Sequence, residues 1–250
     1  RVGGSAPWVD ITGINTPGDG CDYSTYSTST LNISGAELSM NGYQYRVKLI
    51  TDAGSCETFS NAATLTVNPL PDDKTVQADN PFMCYNNATD IVVLNSQNNV
   101  DYTFRIGAAD QETVSGDGSN ISHNTGNLTS DKTYSVYAEN TITGCDRMLS
   151  DEPLVSINPE LHANVPDIDD ICEDEDLDIP GVNRWGGSGT FSQEWTGTDS
   201  YTNTVRNPAP FAPSSTGLHS YTATVTDEGF LTESTTGGDP TTCTVDDTET

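Results

Sequence analysis

Basic residues are scarce in this chain of 250 residues. It contains 9 Lys and Arg residues against 37 Asp and Glu residues, which gives a formal net charge of −28 at neutral pH. Because such a surface repels polyanions, the composition argues against nucleic acid and anionic membranes as partners. The acidic surface is either a solubility device for a secreted protein in salty surroundings or a sign of cation binding.

Long apolar runs and helical periodicity are missing as well. No stretch approaches the ~20 apolar residues of a membrane-spanning helix, so we expect no direct membrane insertion. Apolar residues do not recur at helical spacing, whereas alternation with a period of two appears several times. With 22 Gly and 13 Pro, the composition favours short strands joined by turns. The sequence therefore predicts an all-β fold.

Recognisable catalytic motifs are absent. The chain has no nucleophile elbow, HExxH, Walker or dinucleotide glycine motif, and its carboxylates are too numerous to single out a catalytic pair. We therefore expect a protein that is not an enzyme and has no catalytic residues. Arg1 to Gly4 contain neither an initiator Met nor a signal peptide, which suggests a mature or excised portion of a longer protein.

A repeat of about 88 residues organises the chain. Three alternating segments begin at Tyr45, Tyr134 and Tyr221, which lie 89 and 87 residues apart. Proline-containing segments at 68–72 and 157–160 separate the repeats. The spacing predicts three sandwich domains of residues 1–69 (incomplete at its N-terminus), 70–158 and 159–250, joined by stiff linkers into an extended array. The three tyrosines suit a tyrosine corner, in which a buried phenol donates a hydrogen bond to the backbone.

The cysteines follow the same repeat. Their even number, without a CxxC motif and with only three scattered histidines, fits no zinc site and favours disulfides in an oxidising compartment. Cys84 and Cys172 occupy equivalent early positions, and a cysteine follows each tyrosine strand. This register predicts the pairs Cys84–Cys145 and Cys172–Cys243, and by elimination Cys21–Cys56. Each long loop closed in this way stabilises the fold by roughly 4 kcal/mol at most.

Two further features are candidate binding sites. The run from Asp167 to Asp178 holds eight carboxylates in twelve residues. It is either a calcium site between domains or a solvated strand edge that blocks edge-to-edge pairing. Trp8, Trp185 and Trp195 are most simply core or edge aromatics, although Trp185 and Trp195 are also candidates for stacking on carbohydrate. The candidate calcium ligands are Asp167, Asp169, Asp170, Glu173 and Asp174.

Several segments resemble repeats of Bacteroidetes surface proteins, including gliding-motility adhesins and other type IX secretion substrates. Residues 8–13, 29–34, 41–47 and 60–67 resemble their immunoglobulin-like repeats, and the middle unit from Cys84 to Cys145 is similar to another of their repeat types. The last unit, with Trp195 and the segment 221–227, resembles their PKD-like domains. The loops at 15–26 and 232–242 are longer than the usual pattern.

The resemblance implies a non-catalytic segment of a large secreted adhesin or filament at the extracellular cell surface. Its disulfide-stapled repeats would act as spacers or weak adhesive units in gliding motility or attachment. The implied partners are other domains of the same long chain, surface glycans and other cell-surface proteins. The alternative is a set of accessory or carbohydrate-binding domains of a larger secreted enzyme. A full-length reading frame separates the two, because an adhesin continues as repeats whereas an enzyme shows a non-repeating domain.

Overall fold

The all-β prediction is confirmed. A computed structural model describes residues 7–14, 18–51, 56–172, 174–229 and 243–249. Within these ranges the regular elements are β-strands and two short 3₁₀ turns, Leu38–Met40 and Thr198–Ser200. No helix in the described ranges is long and apolar enough to cross a membrane. The predicted long loop at 232–242 lies outside the described residues, as does part of the loop at 15–26.

The chain divides into two compact units. The first comprises Arg1–Pro71 and Glu139–Arg147, and the second comprises Asp72–Ala138 and Met148–Thr250. Three separate hydrophobic clusters lie along the sequence, and the second unit contains all residues of two of them. The division into three domains stays a prediction.

The first region of the chain consists of short antiparallel pairs around a small core. Its strands pair as β1 with β2, β3 with β6, and β4 with β5. Among the described residues, the buried members of this core are Cys21, Tyr23 and Met40. The strand expected from Tyr45 is interrupted, because β3 pairs with β6 whereas β4 pairs with β5. The strands are β1 (Asp22–Ser24), β2 (Asn32–Ser34), β3 (Gln44–Tyr45), β4 (Lys48–Ile50), β5 (Glu57–Phe59) and β6 (Ala63–Thr64).

The middle region holds the largest core. A four-stranded sheet in the order β11-β10-β14-β15 and a three-stranded sheet in the order β12-β9-β7 both contribute side chains to it. A third sheet has the order β13-β16-β8. The strands are β7 (Val76–Ala78), β8 (Phe82–Met83), β9 (Asp90–Val93), β10 (Val100–Ile106), β11 (Ala109–Ser115), β12 (Ile121–Asn124), β13 (Lys132–Thr133), β14 (Ser135–Asn140), β15 (Asp146–Met148) and β16 (Leu154–Ile157).

Alternation along β10 explains how this core forms. Val100, Tyr102 and Phe104 point inward, and the residues between them are more exposed. Each side chain of this size contributes roughly 1.5–3 kcal/mol when it is removed from water. The alternating pattern therefore fixes both the strand and the face that it buries.

The last region has its own sheets around a second hydrophobic core. A four-stranded antiparallel sheet has the order β20-β19-β21-β22, and β17 pairs with β18. Along β21, the residues Tyr221, Ala223, Val225 and Asp227 are buried in strict alternation. The strands are β17 (Leu161–Asn164), β18 (Asn183–Gly186), β19 (Phe191–Gly197), β20 (Tyr201–Asn203), β21 (Tyr221–Asp227) and β22 (Cys243–Glu249).

The tyrosines behave only partly as a tyrosine corner requires. Tyr134 and Tyr221 are buried as predicted, but Tyr45 is only half-buried. The hydroxyl of Tyr134 has no hydrogen-bond partner among the described residues. The predicted bond to the backbone is therefore wrong for Tyr134, because its ring packs within the apolar middle core. Burial also raises the pKa of this phenol.

Replacement of Tyr134 by Phe is expected to leave the free energy of unfolding unchanged or to raise it by about 1 kcal/mol. The variant removes a buried hydroxyl that makes no hydrogen bond and keeps the ring that fills the core. Urea unfolding at neutral pH measures the difference. Tyr102→Phe is the matched control, since the Tyr102 hydroxyl accepts a hydrogen bond from the backbone N–H of Gln97 at 2.8 Å. A loss of stability at Tyr134 as large as that at Tyr102 contradicts the expectation.

Candidate functional site

The joint between the middle and last regions is very short. Strand β16 ends at Ile157 and β17 begins at Leu161, so only Asn158, Pro159 and Glu160 connect the two cores. Asn158 is 1% exposed, which is unusual for a polar residue in a linker. Both regions at this joint belong to the second compact unit. We use the term joint for this linker of residues 158–160 together with Cys84, Gly187, Asp227 and Cys243.

A disulfide bond crosses the joint. Cys84, which follows β8 in the middle region, is bonded to Cys243, the first residue of β22 in the last region. The two residues are 159 positions apart in sequence, and their Cα atoms are 5.5 Å apart. The bond therefore connects two hydrophobic cores instead of closing a loop within one.

The predicted cysteine pairs are wrong. Cys21, Cys56, Cys145 and Cys172 are free thiols in the structure, which excludes Cys84–Cys145, Cys172–Cys243 and Cys21–Cys56. Repeat register identified Cys84 as an early position in its unit, but it gave no information on which end of the fold that position occupies.

Strand pairing explains why Cys84 lies at the joint. Strand β8 runs parallel to β16 with Met83 opposite Ile157, and the backbone N–H of Asn158 donates to the carbonyl of Met83 at 2.8 Å. The residue after Met83 is thereby brought beside the linker. Cys145 instead lies in the turn between β14 and β15, within the first compact unit.

The buried thiol of Cys21 packs within the first region. Its Sγ lies 3.1 Å from the carbonyl of Gly35 and 2.9 Å from the Sδ of Met40. Burial raises the pKa of this thiol, and the nearby carboxylate of Asp19 adds to the rise. Cys56 and Cys172 are exposed.

Asp227 is the polar centre of the joint. Its carboxylate accepts hydrogen bonds from the side-chain amide of Asn158 at 2.5 Å and from the backbone N–H of Ser188 at 2.6 Å. It also accepts from the hydroxyl of Ser188 and from the backbone N–H of Gly229. The same amide nitrogen of Asn158 lies 3.7 Å from the Sγ of Cys243. The linker is thus fixed to the end of β21 and to the disulfide.

The carboxylate of Asp227 is held in its charged form. It is 1% exposed, and burial alone raises the pKa of a carboxyl group. The donors from Ser188, Gly229 and Asn158 outweigh burial and hold the pKa of Asp227 below its ordinary value. A buried carboxylate with this many donors stabilises one arrangement of the surrounding chain.

Two glycines allow the chain to approach closely at the joint. Gly186 and Gly187 have φ values of +79° and +55°. A Cβ atom on Gly186 collides with the carbonyl oxygen of Glu160, and one on Gly187 meets the carboxylate of Asp227. The two glycines follow Trp185 in sequence, one of the two candidates for stacking on carbohydrate. The structure accounts for them by the backbone conformation and by contacts with the linker and Asp227.

The two tryptophans considered for carbohydrate stacking differ in exposure. Trp195 is fully buried in the last core, and its Nε1–H donates to the carbonyl of Val205 at 3.0 Å. It therefore has no face open to a ligand. Trp185 is 53% exposed and stacks on His162 across the β17–β18 pair, with ring centroids 5.2 Å apart.

The acidic run from Asp167 to Asp178 lies in the connection between β17 and β18. Asp167, Asp169, Asp170 and Asp174 are exposed, and Glu173 lies outside the described residues. Among the residues that are described, no group of three or more His, Cys, Asp or Glu side chains is arranged to hold a metal ion. Calcium binding by this run stays a prediction.

A serine, a histidine and an aspartate lie close together at the start of β21. The hydroxyl of Ser215 donates to both oxygens of Asp199, at 2.9 and 3.0 Å. The Nε2 atom of His219 is 3.0 Å from the backbone carbonyl of Ser215, not from its hydroxyl. The imidazole is therefore not placed to accept the hydroxyl proton, as nucleophilic catalysis requires.

The chain matches no protein-family model and no curated protein. Among solved structures, it is similar to the three N-terminal domains of the bacteriophage RB49 highly immunogenic outer capsid protein (Hoc), with a TM-score of 0.33 and 12% sequence identity. That similarity covers 70% of this chain and 58% of the phage structure. The chain thus spans less than two thirds of that structure, and a likeness of this degree carries no conclusion about function.

Proposed function

We propose that the chain is a non-catalytic segment of a large secreted bacterial surface adhesin or filament. Its tandem immunoglobulin-like sandwiches serve as spacers and adhesive repeats at the extracellular face of the cell, in attachment or gliding. Its partners are neighbouring domains of the same long chain and molecules on other surfaces.

The sheet order of the middle region supports an immunoglobulin-like sandwich. One layer contains β11, β10, β14 and β15, and the other contains β12, β9 and β7. In chain order, this separation corresponds to strands C′, C, F and G against strands E, B and A of the immunoglobulin fold. The last region supplies a comparable four-stranded layer from β20, β19, β21 and β22.

The observation that carries the spacer role is the Cys84–Cys243 bond across the joint. A linker of three residues between strands, with Asn158 buried and bonded to Asp227, allows little independent motion of the two cores. The disulfide adds a second, covalent connection between them. A spacer that holds a binding surface away from the cell needs such resistance to bending, and a disulfide persists in an extracellular setting.

Distance measurements across the joint test this role. We expect nitroxide-bearing amino acids at the exposed positions Gln111 and Thr202 to give one narrow distance distribution in pulsed electron paramagnetic resonance. Labels at Gln111 and Thr129, both within the middle region, provide the matched control for motion of the label itself. Reduction of the disulfide together with Asn158→Ala should broaden only the first distribution. A broad distribution across the joint in the oxidised protein rules out a rigid spacer.

A further inference from the structure

The first region contains a cleft whose lining includes six aromatic side chains. Its volume is about 560 Å³, within the range of roughly 300–1,000 Å³ typical of small-molecule sites. We name it the aromatic cleft, and the lining residues used below are Trp8, Tyr23, Tyr26, Tyr45, Arg46, Lys48 and Phe59. Its walls lie within the first compact unit.

Arg46 is the distinctive group of the aromatic cleft. The guanidinium carbon lies 4.1 Å from the ring centroid of Trp8 and 4.0 Å from that of Phe59. No carboxylate among the described residues lies within ion-pair distance of Arg46. Contacts with ring faces hold a guanidinium in place while its N–H donors, which lie in its own plane, point along its edges. Arg46 is therefore a positioned cation in a protein that carries a large excess of negative charge.

The second cation of the cleft, Lys48, is already neutralised. Its Nζ lies 2.8 Å from Glu57 and 3.9 Å from Asp10. The hydrogen bond from Lys48 to Glu57 raises the pKa of the lysine, so it stays protonated. An anionic group that enters the cleft is thus directed to Arg46 by charge complementarity.

The remaining walls offer ring faces and hydroxyl groups. Tyr26 is 44% exposed and Phe59 is 46% exposed, so both rings present apolar surface. Deeper in the cleft, the hydroxyl of Tyr23 donates to Asp19 at 2.6 Å and lies 3.2 Å from the hydroxyl of Tyr45. Sugars have the matching chemistry, because their C–H faces pack on aromatic rings while their hydroxyls exchange hydrogen bonds with such groups.

We propose that the aromatic cleft binds an acidic saccharide of the uronic-acid class. Arg46 pairs with the sugar carboxylate through two parallel N–H donors, and the exposed rings pack against the sugar. The hydroxyl and carboxylate groups of the walls bond the sugar hydroxyls. This inference rests on the adhesive part of the proposed function, for which it names the class of ligand.

Calorimetric titration of the oxidised full chain with tetragalacturonic acid tests the proposal. We expect saturable binding that weakens as sodium chloride is raised, because salt screens the Arg46–carboxylate attraction. Arg46→Gln should weaken binding about tenfold or more. The affinity of Arg46→Lys should lie between those of the wild type and Arg46→Gln, since lysine keeps the charge but loses the planar fork. The matched control is Arg105→Gln, because Arg105 also lies over an aromatic ring, that of Tyr137, but outside the cleft.

The outcomes are separable. Thermal unfolding of Arg46→Gln near the wild-type temperature shows that the variant is folded. Four results each overturn the proposal. Two concern the ligand alone: the uronate does not bind, or a neutral glucose tetramer binds with equal affinity. The other two are tighter binding of a pentaglutamate peptide than of the uronate, and an effect of Arg46→Gln no larger than that of Arg105→Gln. These results leave the distance measurement across the joint unaffected. Failure of the aromatic cleft is thus distinguished from failure of the spacer role.

Discussion

Removal of the Cys84–Cys243 bond is expected to lower the free energy of unfolding by up to about 5 kcal/mol. The bond closes a segment of 159 residues, and loop-closure entropy makes a cross-link of this length among the more stabilising ones. The effect is large for a protein with lean cores, because most domains are stable by only ~5–15 kcal/mol. Guanidinium unfolding of the oxidised chain and of a Cys84→Ser, Cys243→Ser double variant measures the difference.

The matched control replaces cysteines that carry free thiols. Cys145→Ser and Cys172→Ser should each change the free energy of unfolding by about 0.5 kcal/mol or less, since both positions are at least partly accessible to solvent. Peptide mapping without reductant should find the peptide of Cys84 joined to that of Cys243 and four cysteines open to alkylation after unfolding. A loss of stability in Cys145→Ser as large as that in the double variant would instead support a bond between Cys145 and Cys84.

The all-β character was predictable because it depends on local alternation. The segment from Tyr221 to Val225 alternates between apolar and polar residues, and β21 buries the members on one face. That alternation extends two residues further and places Asp227 on the inward face at the end of the strand. A carboxylate at an inward position predicts a buried polar contact. The alternation therefore indicated Asp227 as a buried polar residue, whereas the comparison of repeats did not.

The disulfide could not be predicted because it depends on a short, non-local strand pair. Strand β8 has only two residues, and its parallel pairing with β16 places Cys84 beside the linker. Alternation cannot reveal a strand of this length, and repeat register compares positions between domains without showing which positions meet across a joint.

The aromatic cleft escaped prediction for a related reason. Arg46 falls at a break between two short strands, β3 and β4, within a segment that alternates as if it were one strand. Its ring partners, Trp8 and Phe59, are 51 positions apart in sequence and come together only through the tertiary fold.

Replacement of Asp227 by Asn is expected to cost about 3 kcal/mol at neutral pH. One of the two carboxylate oxygens becomes an N–H₂ group, so a buried donor of Ser188 or Asn158 loses its acceptor. The remaining hydrogen bonds lose the negative charge that strengthened them. Asp246→Asn is the matched control, since Asp246 is an exposed carboxylate on the adjacent strand β22. Urea unfolding gives both values.

The cost of Asp227→Asn should depend on pH in one direction. Because the pKa of Asp227 is lower in the folded protein than in the unfolded chain, its charge stabilises the fold fully above the unfolded value of about 3.9. That contribution is lost as the pH falls through the lower, folded pKa. The difference between wild type and Asp227→Asn should therefore be constant from pH 7 to about pH 5 and shrink below about pH 4. Comparison of the two proteins at each pH cancels the titration of the other acidic residues. A difference that grows on acidification would show that Asp227 is protonated in the folded joint and donates a hydrogen bond there.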